Sequence, residues 1–289
     1  GIIVNGREVV KFSATSPDVV PIARDAVGIA DTMEADVPYG RRVLIETGES
    51  LTVPKRYVFW DIEVDPTGGM PNEQLADRQI ISIATMTNDG EERFFCRADE
   101  TQMLEEFRAY VTDFPVLVGY NSNHFDEPYL LTRCKRLGIE YPWWKLHVFV
   151  DALAVYKFVL QKRQDKYSLE HVGKEENLKV RKRFIEIPRL MEYYNSFLDG
   201  GDTTLKDYNL DDVRVMHELD HKLSMVEIVF NIAAISHTTV KDLLRIHEKS
   251  KKEFNVSVAV DGLILYLSAR RTPRLVWRTK EYKELTEEE

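Results

Sequence analysis

Cysteine is scarce in this sequence, and long apolar segments are missing from it. The two cysteines, Cys96 and Cys134, lie far apart and belong to no CxxC or histidine-rich pattern. This spacing argues against a zinc site or a disulfide framework, so both are predicted to be reduced thiols in the core. No apolar run approaches the roughly 18 residues of a membrane span, and the N-terminus carries no signal pattern. We therefore expect a cytoplasmic protein with no membrane partner.

An excess of positive charge is also absent. The 39 lysine and arginine residues face 48 aspartate and glutamate residues, and the formal net charge is −9. This balance counts against a protein that coats duplex DNA through a broadly basic surface. It does not exclude a local groove, because a carboxylate-lined metal site would itself add several negative charges. With 289 residues, of which 44% are hydrophobic, the chain is long enough for one main core with smaller additions.

The order of the predicted elements indicates an α/β fold. Period-two alternation and turn residues predict strands at 3–12, 57–64, 79–87, 91–97 and 116–120. Helical spacing predicts helices at 101–111 and 127–137, an apolar run follows at 148–160, and further helices are expected at 205–233, 238–252 and 257–269. Strands that alternate with helices favour a mixed sheet flanked by helices. The chain is expected to become helical after about residue 202.

The segment Trp60-Asp61-Ile62-Glu63 places two acids two residues apart on a predicted strand. Both side chains therefore point to the same face of the sheet, and Ile62 points to the other. Two carboxylates so close repel each other, and divalent cations are a common reason for keeping both ionised. The alternative is a strand that frays into an acidic loop.

Two further segments carry acids in suggestive places. Asp126 follows a strand and a polar turn and lies at a predicted helix start, where an acid also serves as an ordinary N-cap. Tyr208 and Asp212 are four residues apart and share one face of a later helix. Either segment alone is weak evidence, since acids crowd the first turns of many helices.

In order and context, the three segments resemble the Asp-x-Glu, Asn-x-x-x-Phe-Asp and Tyr-x-x-x-Asp motifs of proofreading exonucleases. The surrounding residues resemble family B DNA polymerases at 34–39, 118–133, 167–172 and after 225. The resemblance implies a ribonuclease H-like exonuclease domain at 51–224, a partial N-terminal domain at 1–50 and a helical extension at 225–289. The palm motifs of these polymerases are absent, so primer extension is not expected.

The resemblance also implies roles for the motif residues. Asp61, Glu63, Asp126 and Asp212 would hold two divalent cations, Mg²⁺ or Mn²⁺, directly or through water, and Tyr208 would orient the attacking water. Hard cations prefer such carboxylate ligands. The predicted contacts to the DNA strand are Tyr120, Asn121, Phe125 and Tyr129. The basic run Lys179–Arg183 is a weaker candidate, because such runs are usually solvated faces.

The predicted function is removal of nucleotides from single-stranded or mismatched DNA 3′ ends. A catalytically silent DNA-binding or assembly subunit is the first alternative, and a ribonuclease with the same metals is the second. Possible partners are a separate polymerase subunit or replication proteins, and the location would be nucleoid-associated in a prokaryote. The start at Gly1 rather than Met is compatible with trimming, and the sequence leaves open whether the chain is one half of a split polymerase.

Overall fold

The computed structural model of the chain describes residues 2–4, 7–14, 16–28, 31–244, 255–271 and 276–277. The described strands are β1 (Ile2–Val4), β2 (Arg7–Val9), β3 (Val58–Val64), β4 (Ile80–Thr87), β5 (Glu92–Phe95), β6 (Val116–Gly119) and β7 (Val148–Asp151). The described α-helices are α1 (Val19–Val27), α2 (Tyr39–Thr47), α3 (Glu100–Val111), α4 (Asp126–Arg136), α5 (Trp143–Leu146), α6 (Ala152–Ala154), α7 (Leu169–Glu175), α8 (Leu190–Leu198), α9 (Thr204–Leu223), α10 (Met225–Ser236), α11 (Val240–Leu243) and α12 (Val256–Ala269). Much of the helix predicted at 238–252 lies outside the described residues.

The central sheet has five strands in the order β5-β4-β3-β6-β7. β3, β4 and β5 form an antiparallel meander, whereas β3 and β6, and then β6 and β7, run parallel. Parallel neighbours require crossover connections, and α4 lies in the one between β6 and β7. β1 and β2 form a separate two-stranded hairpin. The predicted mixed sheet flanked by helices is confirmed.

Helices cover both faces of this sheet. On one face, Trp60 and Ile62 of β3 pack in a core with Phe107 of α3 and Leu130 of α4. The opposite face carries a smaller core made by β4, α8 and α9, in which Ile81 contacts a group that includes Leu205 and Tyr208. Alternation along β3 therefore sends Trp60 and Ile62 to the first core and Asp61 and Glu63 towards α9.

The chain divides into two compact units. One comprises residues 52–230 and 244–254 and contains the five-stranded sheet; the other comprises 1–51, 231–243 and 255–289. In the second of these, α2 packs against α12, and Arg270 Nη1 donates a hydrogen bond to the carbonyl oxygen of Ile45 at 2.8 Å. The segments predicted as an N-terminal domain and a C-terminal extension thus contribute mainly to one unit.

One predicted helix is interrupted. The periodicity over 205–233 predicts a single helix, but α9 ends at Leu223 and α10 begins at Met225. Ser224 adopts a left-handed conformation with φ of 51°, and the Asp220 carboxylate accepts the Val226 backbone N–H at 2.9 Å. The single-helix prediction is therefore wrong, because Asp220 offers the chain a side-chain cap for a new helix.

The two cysteines behave as predicted. Cys96 and Cys134 are both free and buried, and burial raises the pKa of each thiol to about 12. Neither thiol is therefore a reactive nucleophile at neutral pH. Within the residues that the structure describes, no helix combines the length and the apolar character needed to cross a membrane.

Candidate metal centre

β3 presents Asp61 and Glu63 side by side on the face that α9 covers. Small residues of β4 lie opposite them, with Ala84 paired to Asp61 and Ser82 paired to Glu63. These short neighbours leave room above the strand for both carboxylates. Asn209 of α9 is fully buried, and its Nδ2 donates to Asp61 Oδ2 at 2.7 Å. One oxygen of Asp61 is thereby fixed in place.

Helix α9 brings Asp212 to these two acids. Asp61, Glu63 and Asp212 each offer a carboxylate oxygen, and the three oxygens lie within 4.8 Å of one another. Asp212 is 4% exposed, and its Oδ1 is buried without a hydrogen-bond partner among the described residues. A buried, unsatisfied carboxylate oxygen is costly unless a ligand completes it. The donor set and this orphaned oxygen fit a hard divalent cation.

Asp126 lies next to this trio but outside its 4.8 Å limit. It begins α4, is 8% exposed and interacts with the backbone of Ile62, the residue between the two acids of β3. Its charge raises the pKa of Asp61, so the fourth predicted acid is electrostatically part of the site. All four predicted acids are thus brought to one region.

Burial dominates the electrostatics of these acids. Asp61 and Glu63 keep part of their surface exposed, yet removal of their carboxylates from water raises both pKa values, to about 8 for Glu63 and well above the usual range for Asp61. Burial likewise raises the pKa of Asp126 to about 7. Repulsion from Asp212 adds to the shift in all three cases. Without a cation, the site retains protons near neutral pH.

Lys182 supplies a positive charge inside the site. Its Nζ donates to Asp212 Oδ2 at 2.6 Å and lies 4.5 Å from the centre of the Tyr208 ring. Burial alone would lower the pKa of Lys182, but the charges of Asp212 and its other neighbours together outweigh burial and raise it. The sequence pointed to this residue only as one member of a basic run, and its specific contact with Asp212 was not predicted.

Tyr208 lies on the same face of α9 as Asp212, as the four-residue spacing predicts. Its side chain is 7% exposed and belongs to the smaller core. Burial raises the pKa of its hydroxyl to about 12, and the charge of Glu63 contributes. Tyr208 therefore keeps its proton at neutral pH and is available as a hydrogen-bond donor.

The turn between β6 and α4 is held by an acid that the sequence analysis missed. Asp151, at the end of β7, is 1% exposed and accepts the backbone N–H groups of Asn121 at 2.9 Å and Asn123 at 3.2 Å. It also accepts the N–H of Leu153 at 2.9 Å. This carboxylate joins the ends of two parallel strands and fixes the turn that leads to Asp126. In the sequence, the only sign of this role is an acid at the end of a short apolar segment, Val148-Phe149-Val150-Asp151.

The predicted strand contacts occupy different environments. Asn121 is exposed, with φ of 57°, and Tyr120 is half-buried with its hydroxyl donating to the Tyr167 carbonyl oxygen at 2.7 Å. Phe125 is half-buried against the main core. Tyr129 has no exposed surface, and its hydroxyl donates to the Arg78 carbonyl oxygen at 2.8 Å. Its ring is inaccessible to a base, so Tyr129 is removed from the proposed DNA contacts.

A family model described as the RNase_H superfamily matches residues 58–224, more than half of the chain. The chain belongs to the RNase_H superfamily. All five motif residues, from Asp61 to Asp212, lie within the matched region. The predicted ribonuclease H-like fold is therefore confirmed.

Known DNA polymerases resemble this chain. It is 30% identical to a DNA polymerase of Thermococcus kodakarensis over 156 residues, which cover 46% of this chain and 9% of that protein. It is 34% identical to the DNA polymerase delta catalytic subunit of Drosophila melanogaster over 131 residues, which cover 37% of this chain and 12% of that protein. The chain thus spans a small part of the curated relatives it matches.

A solved structure agrees at the level of the fold. The family B DNA polymerase from Pyrobaculum calidifontis matches with a TM-score of 0.70 and 24% identity, over 95% of this chain and 41% of that one. Together with the sequence relatives, this match confirms the predicted relationship to the exonuclease region of family B DNA polymerases.

Proposed function

We propose that this chain is a divalent-cation-dependent 3′-to-5′ exonuclease that acts on single-stranded or mismatched DNA ends. The observation that carries the proposal is the trio Asp61, Glu63 and Asp212, with carboxylate oxygens within 4.8 Å of one another. The orphaned Oδ1 of Asp212 supports it, because such an oxygen is satisfied by a cation ligand. The similarity to DNA polymerases favours DNA as the substrate.

Asp61, Glu63 and Asp212 would hold the cations, and Asp126 would contribute directly or through water. When bound, two Mg²⁺ or Mn²⁺ ions activate a water and stabilise the charge on the departing oxygen. The reaction forms a bond from the water oxygen to phosphorus and breaks the bond to the 3′ oxygen, which leaves with a proton. The terminal nucleotide is released as a 5′-monophosphate.

The other residues of the site would orient the reactants. The protonated hydroxyl of Tyr208 can hold the attacking water, since its raised pKa keeps it a donor. The Lys182 ammonium group, already placed on Asp212, can offset negative charge on the phosphate. Asn121, Tyr120 and Phe125 remain the proposed contacts for the strand.

The test is degradation of a 5′-labelled single-stranded DNA with Mg²⁺, Mn²⁺ or EDTA. A ladder that shortens from the 3′ end only with a cation is expected. Asp61→Ala should lose at least about 10³-fold in rate, whereas Tyr208→Phe should lose about 10- to 10³-fold and keep the same dependence on Mn²⁺ concentration.

The exposed acid Asp113, in the turn after α3, provides the matched control, and Asp113→Asn should retain the parental rate. An RNA of the same sequence is tested in parallel, and faster cleavage of RNA would identify a ribonuclease. No cleavage with either cation would instead favour a silent binding subunit. Full turnover by Asp61→Ala would show that the active site lies elsewhere.

A further inference from the structure

Phe184 is a solvent-exposed aromatic residue in the loop that also carries Lys182. Its exposed fraction is 90%, above that of every other exposed large hydrophobic residue in the described part of the chain. A single exposed hydrophobic residue needs no special explanation by itself. The position of Phe184 does call for an explanation, because Lys182, which contacts Asp212, is only two residues away.

The loop that carries Phe184 is fixed on both sides of it. The Arg183 guanidinium lies on the Asp211 carboxylate at 2.6 Å, and Ile185 is buried in the smaller core. Lys182 is also attached to α9, so the residues on both sides of Phe184 contact the rest of the protein. The ring is therefore presented to solvent by an anchored loop, so its exposure follows from how the loop is attached.

The start of the same loop is anchored as well. Glu218 of α9 accepts the backbone N–H groups of Lys179 at 2.7 Å and Val180 at 2.8 Å. This attachment leaves the Lys179 and Arg181 side chains exposed on the surface. An exposed aromatic ring flanked by exposed cations is the combination that binds single-stranded nucleic acid, through stacking on bases and attraction to phosphates.

Geometry limits which part of the strand can reach the ring. Two residues span at most about 7 Å between Cα atoms, so the backbone of Phe184 lies close to that of Lys182. The Lys182 ammonium group in turn contacts the acid that would hold a cation. A base that meets Phe184 would therefore belong to a nucleotide within a few positions of the bond that is cut.

We propose that Phe184 is a stacking surface for a base of the substrate strand, within a few nucleotides of the scissile bond. The inference rests on the proposed exonuclease function and adds a strand contact to it. Phe125 is half-buried against the main core and offers only part of its ring, whereas Phe184 offers almost the whole ring. Arg181 and Lys179 contribute attraction to the neighbouring phosphates.

Binding of a fluorescein-labelled oligothymidylate, followed by anisotropy in Ca²⁺, tests the stacking contact. Phe184→Ala should weaken binding by about 5- to 100-fold, and Phe184→Trp should restore it. Phe12, which is 61% exposed and belongs to the other compact unit, provides the matched control, and Phe12→Ala should bind as the parent does. Because Phe184 is so exposed, its replacement should leave the unfolding curve unchanged.

Oligonucleotides with a single abasic site identify the stacked base. At one position near the 3′ end, loss of the base should weaken binding by the parent protein but not by Phe184→Ala. The effect of Phe184→Ala should also persist at high salt, whereas that of Arg181→Ala should decline.

Equal affinity of Phe184→Ala and the parent, or equal sensitivity of both to every abasic position, would overturn the inference. If the parent cleaves DNA and Phe184→Ala binds normally, the stacking contact is absent and the exonuclease function stands. If the parent binds through Phe184 but cleaves nothing, the exonuclease function fails instead. The binding assay therefore tests the stacking role of Phe184 independently of cleavage.

Discussion

Replacing Asp61 by asparagine should stabilise the protein in the absence of cations. The new amide would keep an oxygen for the hydrogen bond from Asn209, so the change removes mainly charge. Two carboxylates whose oxygens lie within 4.8 Å of each other repel by about 3 kcal/mol at an effective dielectric constant of about 20. Protons bound to the acids already relieve part of this repulsion in the parent. The substitution also removes the attraction between Asp61 and Lys182. We therefore expect a net gain of about 1 to 2 kcal/mol in the free energy of unfolding.

The same substitution should abolish the stabilisation that a cation provides. Mn²⁺ at about a hundred times its dissociation constant would stabilise the parent by about 2.7 kcal/mol, because it binds only the folded state. Urea unfolding in EDTA and in Mn²⁺ measures both effects, with Asp113→Asn as the control. In EDTA, Asp61→Asn should unfold at higher urea than the parent, and the order should reverse in Mn²⁺.

Two results would refute this reasoning. If Asp61→Asn unfolds at lower urea in EDTA while Asp113→Asn matches the parent, the acids are not in repulsive contact. If Mn²⁺ stabilises the parent and Asp61→Asn equally, Asp61 is not a ligand. Either outcome would also remove the main support for the proposed exonuclease.

Three further predictions concern substrate form, charge and loop position. A mismatched 3′ terminus should be removed faster than a matched one, because unpairing costs less there, and equal rates in a time course would contradict this. Lys182→Met should lower the cleavage rate and, in EDTA, reduce the free energy of unfolding by about 1 to 3 kcal/mol, whereas Lys179→Met at the exposed start of the loop should not change stability. Asp151→Asn should destabilise by about 1 to 3 kcal/mol, since the turn that leads to Asp126 loses hydrogen bonds, and an unchanged unfolding curve would show that the turn does not depend on it.

Local spacing predicted which of the site residues share a face. Asp61 and Glu63 share a face because strand side chains alternate, and Tyr208 and Asp212 share a face because a helix returns after four residues. Neither inference needs the tertiary structure. The order of strands and helices likewise predicted the mixed sheet, and the resemblance to exonucleases joined the separate motifs into one site.

Local sequence patterns did not predict the contacts between distant segments of the chain. Lys182 reaches Asp212 only because the loop before α8 packs along α9, and nothing in a basic run selects one lysine. Tyr129 has the composition of a stacking residue, but the packing of α4 on the sheet buries it completely. Asp151 acts on a turn 28 to 30 residues away. In each case tertiary packing, and not local pattern, determined the role of the side chain.

Sheet topology explains why these acids meet. β3, β6 and β7 run parallel, so their carboxyl ends lie at the same edge of the sheet. Asp61 lies in the middle of β3 and Glu63 near its end, Asp126 follows β6 after a short turn, and Asp151 ends β7. Ligand sites of α/β sheets form at this edge, because the loops there approach one another. Asp212 comes instead from α9, which packs across the face of β3 and β4. The position of α9 on the sheet therefore determines whether Asp212 lies close to Asp61 and Glu63. Because the hydrogen bond from Asn209 to Asp61 joins α9 to β3 at this point, we regard it as the structural basis of the site.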